Sequence, residues 1–312
     1  MASGDERVFC STIIPTIGRS TLDRAVRSVL GQTLTSEDYE VIVVNDSGEG
    51  LPESEWSADD RVRILHTERH ERSVARNTGA AVALGDYLHF LDDDDWLLPR
   101  AMERFQAMIA LGDMAFLYGT AELIPSGDRV PVKLNLAISG NCFCEVMAGE
   151  WIPLPAFVVA REAFWEVGGF DPLLPVGQDI DLCRRIALRE DFVCLFEPVA
   201  RILRDESWKS STDQALAKEC SHQGVERILD QPDALRRMLS SARSPYWLGH
   251  VVRTYLGSIL WNLRQGQVLM AGSRFLLAGV SGLYSGFHVL KPAFWRGVLL
   301  AHQSNVLLED GR

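Results

Sequence analysis

Long apolar runs are missing from this 312-residue chain. No stretch of about 18 or more apolar residues marks a membrane span. The opening MASGDERVFC is polar and acidic, without the basic and apolar regions of a secretory leader, so a cytoplasmic protein is expected. Paired cysteines are missing too. Cys10, Cys142, Cys144, Cys183, Cys194 and Cys220 form no CxxC. The Cys142-x-Cys144 spacing is weak as a metal signal, and scattered thiols fit a reducing compartment. Repeats and low-complexity segments are absent. No Gly-rich phosphate loop follows the first apolar segment, where PTIGRST is poor in glycine; this disfavours a sugar nucleotidyltransferase. No nucleic-acid partner is expected of a chain with net charge −11.

Acidic residues are also missing from one region. Residues 234–308 hold no Asp or Glu and eight basic residues, a net +8 that leaves −19 for the remainder. An acidic body and a basic, apolar C-terminal arm are therefore distinct in character.

What is present is a regular alternation. VFCSTIIPT, YEVIVVND, VRILH and DYLHFLD read as strands. STLDRAVRSVLGQ reads as a helix with Ser20 or Thr21 as cap, an apolar stripe through Leu22, Ala25, Val26, Val29 and Leu30, and Gly31 as its end. RSVARNTGAAVALG reads as a helix closed by Gly85, and LPRAMERFQAMIALG as the next. Near-continuous apolar strands alternating with helices predict an α/β fold with a mostly parallel, Rossmann-like sheet flanked by helices. MAFLYGTAEL, VPVKLNLAI and FVCLFEP extend the strands, and QDIDLCRRIALRE adds a helix. The pattern beyond about Ser207 is helical. The expected division is residues 1–207, with a nucleotide-binding half at about 8–122 and an acceptor half at about 123–207, followed by 208–312.

Ligands in such sheets bind beyond the carboxyl ends of the strands. Thr16, Asn45–Asp46 and Asp92–Asp95 all fall there. Four consecutive carboxylates oppose one another's ionisation. A solvated acidic turn tolerates that, and so does a bound divalent cation, whose hard charge takes carboxylate oxygens. In an extended segment Asp92 and Asp94 share a side, making an Asp-x-Asp pair. Asp181, with Arg184 and Arg185 three and four residues on, reads as a structural ion pair, which leaves Asp179 as the unpaired carboxylate of its helix.

The ordered segments STIIPTIGR, VIVVNDSG, ARNTGAAVALGDYLHFLDDDD and VGGFD…GQDIDLCRRI resemble the motifs of family 2 glycosyltransferases with the GT-A fold, over about Val8 to Glu197. The resemblance implies an inverting transfer from a nucleoside-diphosphate sugar, UDP- or dTDP-linked, to an acceptor hydroxyl of a glycan, lipid-linked or small-molecule acceptor. It implies that Asp46 reads the base, that Arg76 lies near base and phosphates, and that Asp92 and Asp94 hold ribose and a diphosphate bound to Mn2+ or Mg2+. Asp179 is the implied general base. Pro15, Thr16, Arg19 and Asp93 complete the implied donor site, and Trp151, Gly169 and Gln178 the acceptor side. Each has a plainer reading: Asp46 as a turn residue before Gly48, Arg76 as a helix-surface charge, Thr16 as a cap, Asp179 as a first-turn carboxylate. Two departures stand out. Gln178 occupies the usual Glu position before the base, and the His found in many relatives after the last strand is missing, with Arg201 or Arg204 as replacements. A catalytically inactive GT-A-like scaffold stays open beside the enzyme.

The arm carries WLGHVVRTYLGSILWNLR, with Leu248, Val251, Val252, Tyr255, Leu256, Ile259, Leu260 and Leu263 at helical spacing. It reads as a helical subdomain packed on the body or across a homodimer, or as a peripheral arm on an anionic membrane surface.

Overall fold

The computed structural model describes residues 8–35, 38–69, 71–125, 132–134, 138–204 and 214–302. The first strand, β1 (Cys10–Thr16), is followed by helix α1 (Leu22–Leu30) and by β2 (Tyr39–Asn45). Next come β3 (Val62–His66), α2 (Arg72–Ala81), β4 (Tyr87–Phe90), β5 (Trp96–Leu97) and α3 (Ala101–Ile109). The second half adds β6 (Phe116–Pro125), β7 (Val132–Leu134), α4 (Phe143–Met147), β8 (Phe157–Ala160), α5 (Arg161–Glu166), α6 (Gln178–Ala187) and β9 (Phe192–Arg204). The boundary expected at 207–208 lies outside the described residues, as does most of VPVKLNLAI.

The sheet has nine strands in the order β3-β2-β1-β4-β8-β6-β9-β5, with β7 on β6. Pairing is parallel from β3 through β2 and β1 to β4. Beyond β4, β8 runs antiparallel to both β4 and β6, β6 and β9 run parallel, β5 pairs antiparallel with β9, and β7 antiparallel with β6. This is the expected α/β class, parallel in its N-terminal half and mixed beyond it. Two apolar cores cover the sheet's two faces: α1 and α3 pack on one, α2 and α6 on the other.

Local chemistry explains the parallel half. β1 and β2 are apolar because both faces are covered. Gly79 lets α2 sit directly on β1, since a Cβ there would lie 2.5 Å from the Ile13 side chain. α2 ends at Val82 rather than at Gly85. Gly85 is needed for close approach instead, since a Cβ there would lie 2.5 Å from the Ser11 backbone nitrogen. Side-chain capping of α1 is not observed at Thr21, although Gly31 does follow its last turn.

The arm contains α7 (Gln214–Leu229), α8 (Ala234–Ser241), α9 (Pro245–Arg264), α10 (Val268–Tyr284) and α11 (Pro292–Leu299). It is joined to the body. Arg237 on α8 donates to the carbonyls of Ala187 and Glu190 at 3.0 and 2.6 Å. The expected α9 stripe is split: Leu248, Val251 and Tyr255 are buried in the body's core, whereas Leu256, Leu260 and Leu263 are exposed. α9 and α11 touch backbone to backbone. A Cβ on Gly249 would lie 2.0 Å from the Phe294 carbonyl oxygen, and one on Gly297 would lie 2.0 Å from that of Tyr246.

Candidate active site

β4 delivers its chain end to the rim as Leu91 and then the acidic run. The run is a turn, not an extension of the strand: the Asp95 N–H donates to the Asp92 carbonyl at 3.1 Å. Strand alternation therefore stops at Phe90, and the turn adds a third member to the expected pair. Asp92, Asp94 and Asp95 each present one carboxylate oxygen within 4.8 Å of the others. Asp93 turns the other way, accepting from the Thr16 hydroxyl at 2.6 Å and from Arg19 at 3.2 Å. Arg19 also reaches Asp94 at 2.9 Å. Arg24 donates to the Asp94 carbonyl at 2.7 Å and lies over the Trp96 ring. Asp95 is buried and accepts from the Leu203 N–H of β9 at 3.0 Å, tying both halves of the sheet to the turn.

Arg76 is not a surface charge. It is buried, ion-paired with Asp92, with its guanidinium carbon 5.3 Å from the centre of the Phe170 ring. Its Nε has no hydrogen-bond partner. The electrostatics follow from this wiring. Desolvation pushes Asp92 up, but Arg76, with Arg72 and Arg19, outweighs it and holds the carboxyl below its ordinary value. Burial raises Asp93 against the pull of Thr16 and Arg19. Burial and the Asp92 charge raise Asp94. Burial, then Asp92 and Asp94, raise Asp95 well above a normal carboxylate. The run is thus under-neutralised by its arginines, and cationic charge placed there is favoured.

Pro15 and Thr16 end β1. Pro15 can stand in a central strand because β4 pairs with β1 only from Cys10 to Ile13, so one edge is already free at Pro15. Thr16 also accepts from the Gly18 N–H at 2.9 Å, so its hydroxyl organises the turn as well as Asp93. Asp46, just after β2, is buried and holds the β3–α2 connection. One oxygen accepts from the Thr67 hydroxyl and the Arg69 N–H, both at 2.8 Å, and the other from the Glu71 N–H at 2.6 Å. Glu71 in turn caps α2 through Ser73 and Val74 N–H groups.

On the other side of the rim, α6 starts after Gly177, whose φ of 76° suits glycine. Asp179 in the first turn accepts from the Trp151 indole N–H at 2.7 Å, which brings two expected residues together. Gln178 is buried and donates to the Leu174 carbonyl at 2.9 Å, a tie within the preceding loop. The Asp181–Arg185 pair is present at 2.7 Å, as its spacing predicts. Arg185 also donates to the carbonyls of Val167 and Gly169 at 2.6 Å each. Gly169 has φ 68°, and a Cβ there would lie 2.8 Å from Asn77 Oδ1, so glycine is required twice over. Arg201 is committed to Glu122 at 2.8 Å; the Arg204 side chain and residues 205–213 lie outside the described residues.

Asn77 is the residue that sequence reasoning missed. Its amide donates to the Phe170 carbonyl at 2.8 Å and its oxygen accepts from the Phe170 N–H at 3.0 Å. It follows Arg76 directly, and that adjacency in the ARN segment was the available signal. The GGF segment thus bridges α2 and α6, linking Asp92 through Arg76 and Phe170 to the helix that carries Asp179.

The sheet is an α/β sheet of the GT-A kind. Among solved structures, that of Staphylococcus aureus TarS residues 1–349 in complex with UDP-GlcNAc is similar, with a TM-score of 0.62 at 14% identity over 93% of this chain and 89% of that one. Residues 11–161 match the model described as Glycosyl transferase family 2. Among curated relatives, an uncharacterized glycosyltransferase of Haemophilus influenzae is 26% identical over 58% of this chain and 63% of its own length. The poly(ribitol-phosphate) beta-N-acetylglucosaminyltransferase TarP of Staphylococcus aureus is 39% identical over 30% of each chain. The chain thus spans less than two thirds of either relative.

Proposed function

We propose that the protein is an inverting glycosyltransferase of the hexosyltransferase type. It moves a sugar from a nucleoside-diphosphate sugar, UDP- or dTDP-linked, to an acceptor hydroxyl in polysaccharide, glycolipid or metabolite glycosylation. The observation that carries the reading is the turn at the end of β4, where under-neutralised carboxylates meet Thr16, Arg19 and Arg76 at the carboxyl rim of the sheet. Support comes from the family match and from TarS, whose structures are of complexes with UDP-GlcNAc and with UDP.

The oxygen donors of Asp92, Asp94 and Asp95 suit a hard divalent cation, Mn2+ or Mg2+. When bound, such an ion neutralises charge on the leaving diphosphate. The chain's own residues do the rest. Arg19, half-exposed, is free to exchange a carboxylate for a phosphate oxygen. Arg76 fixes Asp92, and Asp46 shapes the base side of the pocket. Asp179, oriented by the Trp151 indole, accepts the proton of the acceptor hydroxyl as its oxygen attacks the anomeric carbon. Holding the two substrates in line contributes much of the rate. Gly169 and Gln178 define the backbone beside the acceptor.

The test is release of nucleoside diphosphate from a panel of sugar nucleotides with Mn2+, compared between wild type and Asp179→Asn. Loss of transfer in the variant at saturating donor, with UDP binding kept, supports the assignment; near-normal transfer refutes it. An inactive scaffold binds donor and releases nothing. Residues 234–308 complete the proposal as the surface that meets an anionic membrane or a second copy, on the cytoplasmic face.

A further inference from the structure

Helix α10 is amphipathic in the inverted sense. The residues it buries against the rest of the arm are Ala271, Arg274, Ala278 and Ser281. Those it turns outward include Leu269, Leu276 and Leu283, exposed by 92%, 69% and 84%; Phe287, in the 3-10 turn that follows the helix, is exposed by 88%. At about 100° per residue Leu269, Leu276 and Leu283 fall on one narrow stripe, and half-exposed Val280 falls within it. The helix's single charge is spent inward: Arg274 pairs with Asp230 and donates to the Leu229 carbonyl at 2.9 Å. The outward face of α10 therefore carries no charge. A patch of this kind marks a docking surface.

Charge decides the occupant. No Asp or Glu occurs between residues 234 and 308. Arg264 at the end of α9, and Lys291 and Arg296 around the start of α11, are exposed near the ends of the stripe in sequence. A second copy would set one acid-free arm against another and leave those cations without a counter-charge. No helix among the described residues is long and apolar enough to cross a membrane. We propose that α10 lies flat on an anionic membrane surface, with Leu269, Leu276, Leu283 and Phe287 between the headgroups and Arg264, Lys291 and Arg296 against lipid phosphates. This rests on the reading of the arm as a surface-facing element and deepens it to named residues. It does not depend on transferase activity.

The test is flotation of the full chain with vesicles of phosphatidylcholine alone or with 30% phosphatidylglycerol (about the anionic content that sets a useful surface potential), in low and high salt. Binding to the anionic vesicles, weakened in high salt, is expected. Leu276→Glu with Leu283→Glu changes only exposed side chains and should cut the bound fraction about tenfold. Lys291→Glu with Arg296→Glu should abolish the preference for anionic vesicles. Both variants should bind UDP as the parent does, so a failed lipid result and a failed donor reading remain distinguishable. Equal flotation of parent and Leu variant overturns the proposal. So does sedimentation as a dimer that the Leu variant dissolves without any lipid binding by the parent, which assigns the stripe to a second copy.

Discussion

Replacing Asp46 by Asn tests whether the rim depends on the loop between β3 and α2. The substitution keeps shape and removes one acceptor. If the amide oxygen takes the Oδ1 position, it still accepts from Thr67 and Arg69. The amide nitrogen then faces the Glu71 N–H across 2.6 Å, donor against donor. The flipped rotamer is worse, because it confronts two donors at 2.8 Å. Losing a buried hydrogen bond to a charged group costs about 1.5–3 kcal/mol. Displacing Glu71 also weakens the α2 cap, worth about 1 kcal/mol. A loss of about 2–4 kcal/mol follows, or a Tm lower by about 4–8 °C in a chain of this size. Because α2 carries Arg76, UDP affinity should fall by about tenfold as well. Scanning fluorimetry, hydrogen exchange of the first turn of α2 and UDP calorimetry read the three effects. An unchanged Tm, together with hydrogen exchange in α2 equal to the parent's, would show that Asp46 does not hold this loop.

Other outcomes follow from the same wiring. UDP should bind with little heat in EDTA and clearly in Mn2+ or Mg2+, and Asp94→Asn should shrink that difference; equal affinity in both buffers removes the cation from the site. Trp151→Phe should lower kcat about tenfold with little change in donor KM, since only the orientation of Asp179 is lost. Buried His89 and His250 are both held down to about 4, His89 by desolvation and His250 by desolvation together with His302 and Arg253. Their unfolded forms take up protons near the ordinary 6.5 while the folded forms do not, so stability is full above that pH and falls as pH drops towards 4. Urea unfolding should show about 2 kcal/mol lost through His89 between pH 7 and 5, and His89→Gln should reduce the loss.

The parallel half of the sheet was legible because its information is local. Apolar runs such as YEVIVVND show two buried faces directly, and the Asp181–Arg185 pair is a fixed helical offset. The insertion of β8 between β4 and β6 was not legible, since it depends on pairings about seventy residues apart, such as Leu88 with Val159. The acidic run was located correctly but given strand geometry, and the turn closed by Asp95 is what recruits a third carboxylate. Asn77 escaped because its partner Phe170 lies 93 residues away. Trp151 and Asp179 were chosen separately, and only the fold joins them. The C-terminal stripe was seen as one face. The structure divides it, because an arm that packs on the body with one side can still present apolar residues on the other.

The reciprocal glycine contact between α9 and α11 bears on how the arm can be tuned. With carbonyls of each helix seated where the other's Cβ would be, the two axes have no slack for sliding or rolling past one another. Lys291 and Arg296 are therefore held at a constant offset from α9, and through α8 from the mixed half of the sheet. If the arm rests on a membrane as proposed, it is a gauge of fixed length, setting how far above that plane an acceptor hydroxyl would have to stand to be reached. A methyl group at either glycine would reset that height before it altered any residue at the rim.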